Sequence, residues 1–228
     1  MWGFGLRQAL SVASIPRHRH VAPYAALVLA GRYRECGDAG SWQAEPGVVL
    51  VHGAFQAHLD RVAGPGAVVL NLPAPPGVPP AFRIADVDAV ARLAERDLPA
   101  AVTLLQPIDT VPADQDDWPD LLAVALLNDP SLAIGRWARA AGLAAETISR
   151  GFAQRFGVTP ARFRAENRAR RAWERIVDCP SVALSAIAYE TGFADQAHCS
   201  RAVKKLTGTS PGCWRRSNPF KTGLSRLG

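Results

Sequence analysis

Apolar positions along this chain change their period near its middle. In the first third they form short runs at 25–30, 48–51 and 67–72, separated by Gly and Pro, and Phe55-Gln-Ala-His-Leu-Asp alternates with a period of two. Such runs and alternation, bounded by turn residues, predict antiparallel strands packed as a barrel or sandwich. The stretch PAPPGVPP at 73–80 fits neither strand nor helix, because its prolines fix φ and remove N–H donors. Beyond it, 85–95 and 99–106 carry Ala, Leu and Val at helical spacing and predict two short helices. IDTVPADQDD at 108–117 is acidic, contains Pro112 and predicts a linker. From 118 to 216 the spacing is helical throughout. The expected fold class is therefore α+β in two domains. A β domain occupies 1–80, a helical connector suited to dimerisation 81–107, a linker 108–117, an all-α domain 118–216 and a flexible tail 217–228.

The helical half contains an internal repeat. Ala138 and Gly142 recur as Ala188 and Gly192, fifty residues later. Arg150, Phe152, Gly157, Pro160 and Phe163 recur as Arg201, Val203, Gly208, Pro211 and Trp214, fifty-one later. Each copy reads as helix, Gly turn, helix, with a small residue four positions before the glycine so that two helices can cross closely. Ile148, Phe152 and Phe156 form the buried stripe of the second helix in one copy, and Cys199, Val203 and Leu206 in the other. Two copies are too few for a solenoid. They fit a pair of helix-turn-helix units, whose second helices enter the major groove of DNA. The positions left facing outward suit that task. They are Glu146, Ser149 and Arg150 on the first such helix and Gln196, Ala197, His198 and Arg201 on the second, with Lys204 further along as a phosphate contact. Arg pairs bidentately with guanine, Gln with adenine, and Glu accepts from cytosine.

Charge sharpens this picture. The formal net charge is +6, but residues 1–117 carry −3 and residues 118–228 carry +9, including all three lysines. A basic second half points to a polyanionic partner. Between the two units, the helix expected at 160–177 bears Arg162, Arg164, Arg168, Arg170, Arg171 and Arg175, read mostly as a solvated face with Glu166 and Glu174 as intrahelical partners, and with Arg168 and Arg171 alternatively bracing the two subdomains. Four cysteines lie far apart and never as C-x-x-C, which disfavours a disulfide scaffold or zinc knuckle and fits small core residues in a reducing compartment. No apolar run approaches the roughly 18 residues of a membrane span, and the first ten residues lack the pattern of a secretory signal. A cytoplasmic, nucleoid-associated protein is expected.

The phrase Trp137-Ala-Arg-Ala-Ala-Gly-Leu, then Ile148-Ser-Arg-Gly-Phe, Gly157-Val-Thr-Pro and Arg168, then Ile187-Ala-x3-Gly-Phe193-x-Asp-Gln-Ala-His198, Arg201, Lys204 and Gly208-x-Ser-Pro211-x2-Trp214-Arg215, resembles the AraC/XylS family of bacterial transcription regulators. The resemblance covers 118–216. It implies two helix-turn-helix subdomains joined by one long helix and reading successive major grooves of promoter DNA. Under it, Glu146, Ser149, Arg150, Gln196, Ala197, His198 and Arg201 match the groove-facing positions. RNA polymerase, a small-molecule effector and a homodimer partner follow as expectations. Ala144 stands where the family has a capping Ser, Cys199 and Val203 where it has a buried Phe pair, and Ala197 offers only a methyl group to a thymine.

The first eighty residues resemble the cupin-like sensor barrel that precedes this DNA-binding part in many family members. Arg17-His18-Arg-His20 and the later His52 and His58 are reminiscent of cupin ligands, but Glu35 and Glu45 lie at unsuitable distances from His20, so neither a metal nor any other cofactor is assigned. A small-molecule pocket lined by His20, Arg32, Tyr33, His52 and His58 is the expectation. A shortened, ligand-free barrel used for dimerisation is the competing reading, since some eighty residues are few for a jelly roll. Two other classes were weighed: a cupin-type metal-binding enzyme with a helical appendage, and a repair-type fusion with a reactive cysteine. The charge asymmetry and the repeat argue against the first. The second lacks a thiol in a catalytic context, Cys179-Pro180 being placed in a turn.

Overall fold

The computed structural model describes residues 7–11, 13–115 and 117–216; the expected tail at 217–228 lies outside them. The chain divides into two compact units, Met1–Val124 with Ser149–Val158, and Ala125–Ile148 with Thr159–Gly228. Among the described residues, the first unit holds an eight-stranded antiparallel sheet. Its strands are β1 (Arg7–Leu10), β2 (Ala13–Arg19), β3 (Tyr24–Gly37), β4 (Gly40–Ala44), β5 (Val48–His52), β6 (Ala57–Pro73), β7 (Ala81–Arg83) and β8 (Asp109–Thr110).

Two long strands organise the sheet. β3 and β6 pair from Tyr24↔Pro73 to Gly37↔His58, with register shifts at 28/30 and 31/33. Gly31 sits in this interruption with φ +71, and a Cβ there would stand 2.0 Å from the Gly66 carbonyl oxygen, so only glycine lets the two backbones approach. On one side of the interruption β5 pairs with β3 and β1 with β6; on the other, β4 pairs with β3 and β2 with β6. Leu10, Val28, Val48, Leu50 and Val69 from the first half pack in one core with Tyr33, Trp42, Ala44 and Val62 from the second. The bent sheet thus closes on itself as a sandwich.

The strands do not stop at the proline-rich stretch. β7 pairs with β5 and β8 with β7, so 81–83 and 109–110 complete the sheet from beyond the stretch and supply strands that eighty residues alone lacked. Helices α1 (Val87–Ala94) and α2 (Leu98–Thr103) lie between them, capped by Asp86 and Asp97, whose carboxylates accept from Ala89 N–H and Ala100 N–H. Val90, Ala91, Ala94, Ala101 and Leu105 cover Ala25, Leu27, Val49, Leu70, Leu72 and Phe82 on the outer face of the sheet.

The remaining helices are α3 (Trp118–Asn128), α4 (Ile134–Ala140), α5 (Ala145–Phe156), α6 (Pro160–Asp178), α7 (Leu184–Glu190), α8 (Gln196–Thr207) and α9 (Pro211–Arg216). The body of α5 belongs to the sheet unit. Arg155 donates from Nε and Nη2 to the two oxygens of buried Asp120 at 3.1 and 2.7 Å, and Ser41 Oγ donates to Asp120 at 2.7 Å. Arg61 donates to the Gln154 carbonyl, and Gly151 leaves room for the Trp118 ring, where a Cβ would stand 2.4 Å from Cζ2. In the second unit, α6 buries Phe163, Ala169, Ala172, Trp173 and Ile176 and packs against α7, α8 and α9, with the Trp173 and Trp214 rings edge to face at 5.6 Å.

Removing one partner of a buried ion pair strands the other charge, at about 3–5 kcal/mol. Asp120→Ala is therefore expected to destabilise the sheet unit by that amount in urea unfolding followed by tryptophan fluorescence. A loss below about 1 kcal/mol would show that Arg155 finds water instead.

Candidate functional site

The repeat becomes two similar turns. Gly142 and Gly192 take φ of +67 and +78, and the following Leu143 and Phe193 N–H groups donate to Ala138 and Ala188 carbonyls at 2.9 and 2.8 Å. Each turn is thus closed onto the small residue four positions before the glycine. The helices that follow start differently. Asp195 accepts from His198 N–H at 2.6 Å and caps α8. Ala144 precedes α5 and gives its carbonyl to Ile148 N–H at 3.0 Å, but its methyl can satisfy no N–H.

The buried stripes fall where their spacing requires. Ile148, Phe152 and Phe156 are buried on α5, and Cys199, Val203 and Leu206 on α8. Glu146, Ser149 and Arg150 are exposed on α5, as are Gln196, Ala197, His198, Arg201 and Lys204 on α8. Among the described residues, Arg150, Arg201 and Lys204 make no ion pair.

The arginines of α6 do not form a solvated face. Arg162 and Arg170 pair with Glu166 and Glu174 one turn on, as expected. Arg164, Arg168 and Arg171 instead donate to the carbonyls of Leu132, Pro130 and Leu127, and Arg175 pairs with Glu190 at 3.0 Å. The end of α3 and the loop after it leave carbonyls without helical partners, and long guanidinium side chains satisfy them. Their charge is committed to the protein's own backbone.

The sheet holds a second candidate site. A cavity of about 450 Å³ opens within it, lined among others by His18, His20, Tyr24, Glu35, His52, His58 and Asp60. Of the five expected pocket residues, His20, Tyr33, His52 and His58 line it. Arg32 does not. It is exposed at the β3–β6 register shift between Gly31 and Tyr33, which turns it away from the face its neighbours share. Glu35, dismissed on sequence spacing, is buried with its two oxygens 3.0 and 3.1 Å from His52 Nε2. Pairing brings it there: Tyr24 lies opposite His52, Glu35 opposite Asp60, and His18 opposite His58. His18, which the sequence pairs with His20, completes the cluster together with Tyr24 and Asp60, and no sequence spacing announces the last two.

Burial dominates the electrostatics of this cluster. It pushes the His52 imidazole down to about 3, with His20 and His18 adding to the effect, and lowers His58 and His20 as well. It raises Glu35 well above the carboxylate range and Asp60 to about 7. Tyr24 is raised by burial and then by Glu35 and Asp60. The three imidazoles are thus neutral and keep a lone pair.

Comparison with known proteins decides the nature of the helical part. Residues 137–217 match the family model of a helix-turn-helix domain. They form a helix-turn-helix domain. No curated protein sequence matches the chain. Among solved structures, the C-terminal domain of AraT, a response regulator from Geobacillus stearothermophilus, is 22% identical, with 43% of this chain and 83% of that one covered and a TM-score of 0.40. A probable AraC family transcriptional regulator from Rhodopseudomonas palustris is 19% identical over 40% and 86%, with a TM-score of 0.37. Unsaturated fatty acid-bound ToxT from Vibrio cholerae is 10% identical over 92% and 94%, with a TM-score of 0.43. No described helix is long and apolar enough to cross a membrane.

The unequal caps give a direct test of where α5 and α8 begin. Ala144→Ser is expected to raise stability by roughly 0.5–2 kcal/mol, and Asp195→Ala to lower it by a similar amount. Thermal melts of both variants measure this. A loss on Ala144→Ser would mean that the serine does not meet an unsatisfied N–H at the start of α5.

Proposed function

We propose that the protein is a sequence-specific transcription regulator of the AraC/XylS type, reading successive major grooves with α5 and α8 and controlled by a ligand in the sheet cavity. The observation that carries the DNA-binding part is α8. Its stripe of Cys199, Val203 and Leu206 is buried, while Gln196, His198, Arg201 and Lys204 stand exposed on the other side, two of them cations with no ion-pair partner among the described residues. A helix fixed by its apolar face and presenting Gln and Arg from its first turns is suited to base edges. Glu146, Ser149 and Arg150 do the same from α5.

Control by a ligand has its own support. His18 and His58 line the cavity, while their chain neighbours Arg17 and Leu59 face α5, where a Cβ on Gly157 would stand 3.0 and 3.1 Å from them. Successive residues of a strand point to opposite faces. A ligand that shifts β2 and β6 therefore shifts the surface on which the end of α5 rests. His20, Tyr33, His52 and His58 are the residues through which it would be felt.

Readout and charge are separable on α8. Arg201→Ala is expected to cost about 1–3 kcal/mol of binding and to relax preference at one base position. Lys204→Ala is expected to weaken binding evenly across sequences and to reduce the salt slope by about one. A base-by-base affinity scan of a selected site at two salt concentrations measures both. Uniform loss in both variants would make α8 a phosphate clamp and overturn the reading role.

A further inference from the structure

We propose that the sheet cavity is a site for a divalent transition-metal ion, held by ring nitrogens of His18, His20 and His58. This names the ligand class of the control site proposed above and rests on that reading only for its regulatory consequence. One ligand atom from each of these three residues lies within 4.8 Å of the other two. Strand geometry brings them together. His18 and His58 are direct partners across β2 and β6, and His20 follows His18 by two residues. The ring centroids of His18 and His20 are 4.3 and 5.7 Å from that of His58. Three imidazoles on one side of a centre, with a cavity on the other, form a site with open positions for water or a small molecule.

Orientation of the rings supports the same assignment. His18 Nδ1 lies 2.9 Å from the Pro16 carbonyl, so Nδ1–H donates outward and Nε2 keeps its lone pair. A backbone carbonyl behind a ligating histidine is the usual way its tautomer is set. His58 Nδ1 is buried with no hydrogen-bond partner among the described residues, as is His52 Nδ1 beside it. A buried polar nitrogen left unsatisfied is costly, and a metal ion at the centre of the three rings would take up that of His58.

The charge of the cavity selects the ligand. Glu35 and Asp60 line it, both buried, and Asp60 Oδ1 also lacks a partner, whereas no Lys or Arg is among the lining residues. With no basic side chain in its lining, the cavity offers an anionic organic ligand no countercharge. Imidazole nitrogens favour zinc, cobalt, nickel and copper over magnesium or calcium, which take oxygen donors. His52 and Glu35, bonded to each other, stand behind His58 and hold its ring in place, with ring centroids of His52 and His58 4.4 Å apart.

The test is metal titration of the full chain, stripped with a chelator and free of DNA. Calorimetry is expected to show one Zn²⁺ per chain and no Mg²⁺, and Co²⁺ to give visible d–d absorption. His18→Gln and His20→Gln, both at partly buried positions, are each expected to weaken Zn²⁺ binding at least tenfold. In the unmutated protein the imidazole ¹⁵N resonances of three histidines should move on Zn²⁺ addition, a readout that needs no variant to fold. Absence of binding, wild-type affinity in both variants, or ¹⁵N shifts confined to exposed His198 would overturn the site. Since DNA is absent, such a failure leaves the regulator reading standing. That reading would fall instead if neither the metal-free nor the metal-loaded protein bound any DNA.

Discussion

A carboxylate with almost no solvent contact must find its countercharge inside the protein, and Asp120 finds it in Arg155. Much of the first unit is arranged to permit this one pair. Ser41 on β4 takes a further lone pair of the same carboxylate, and Asp114 lies 3.6 Å from the same guanidinium. Trp118 fits the notch left by Gly151 on α5. Arg61 on β6 caps the Gln154 carbonyl near the end of that helix. A helix of twelve residues with a low intrinsic tendency to stand alone is thereby held by side chains from β4, β6 and the start of α3. Because α5 carries Ser149 and Arg150 on its exposed side, the same pair decides which surface those residues present.

The opposite face of the strands behind it carries different chemistry. Inside the bent sheet, four histidines, two acids and two tyrosines are gathered where a sandwich would ordinarily bury Val or Leu. Such a cluster costs stability unless every group is satisfied, and here two histidine nitrogens and one Asp60 oxygen are not. The alternation of β2 and β6 places this cluster one residue away from Arg17 and Leu59. Arg17 is itself fixed by buried Asp38, whose second oxygen accepts from Ala57 N–H at 2.9 Å. Strained polar chemistry on one face and a helix seat on the other is an arrangement in which occupancy of the first can bias the second.

The helical half was largely readable from its residues, because its signals are local. Gly142 and Gly192, the Ile148–Phe152–Phe156 stripe and Asp195 each act within one or two turns of chain. The arginines of α6 are only partly legible, because a guanidinium looks the same in sequence whether it meets water or the carbonyls of Leu127, Pro130 and Leu132. In the sheet, strand-forming runs were visible but their partners were not. β7 and β8 join from beyond the prolines, and their few residues carry too little pattern to be seen. Glu35 and Arg32 show the limit most clearly. Both lie on β3, and only the register shift beside Gly31 turns one into the cavity wall and the other outward. A period-two reading does not see a bulge.

The proposed reading of DNA sequence through two similar helices has a direct test. Iterated selection of bound duplexes from a random pool, with the full chain and at moderate salt, tests it most directly. The account predicts two short blocks of enriched bases, centred about one helical turn or roughly 10 base pairs apart. Enrichment of no sequence over the starting pool, with binding that depends on salt alone, would contradict it.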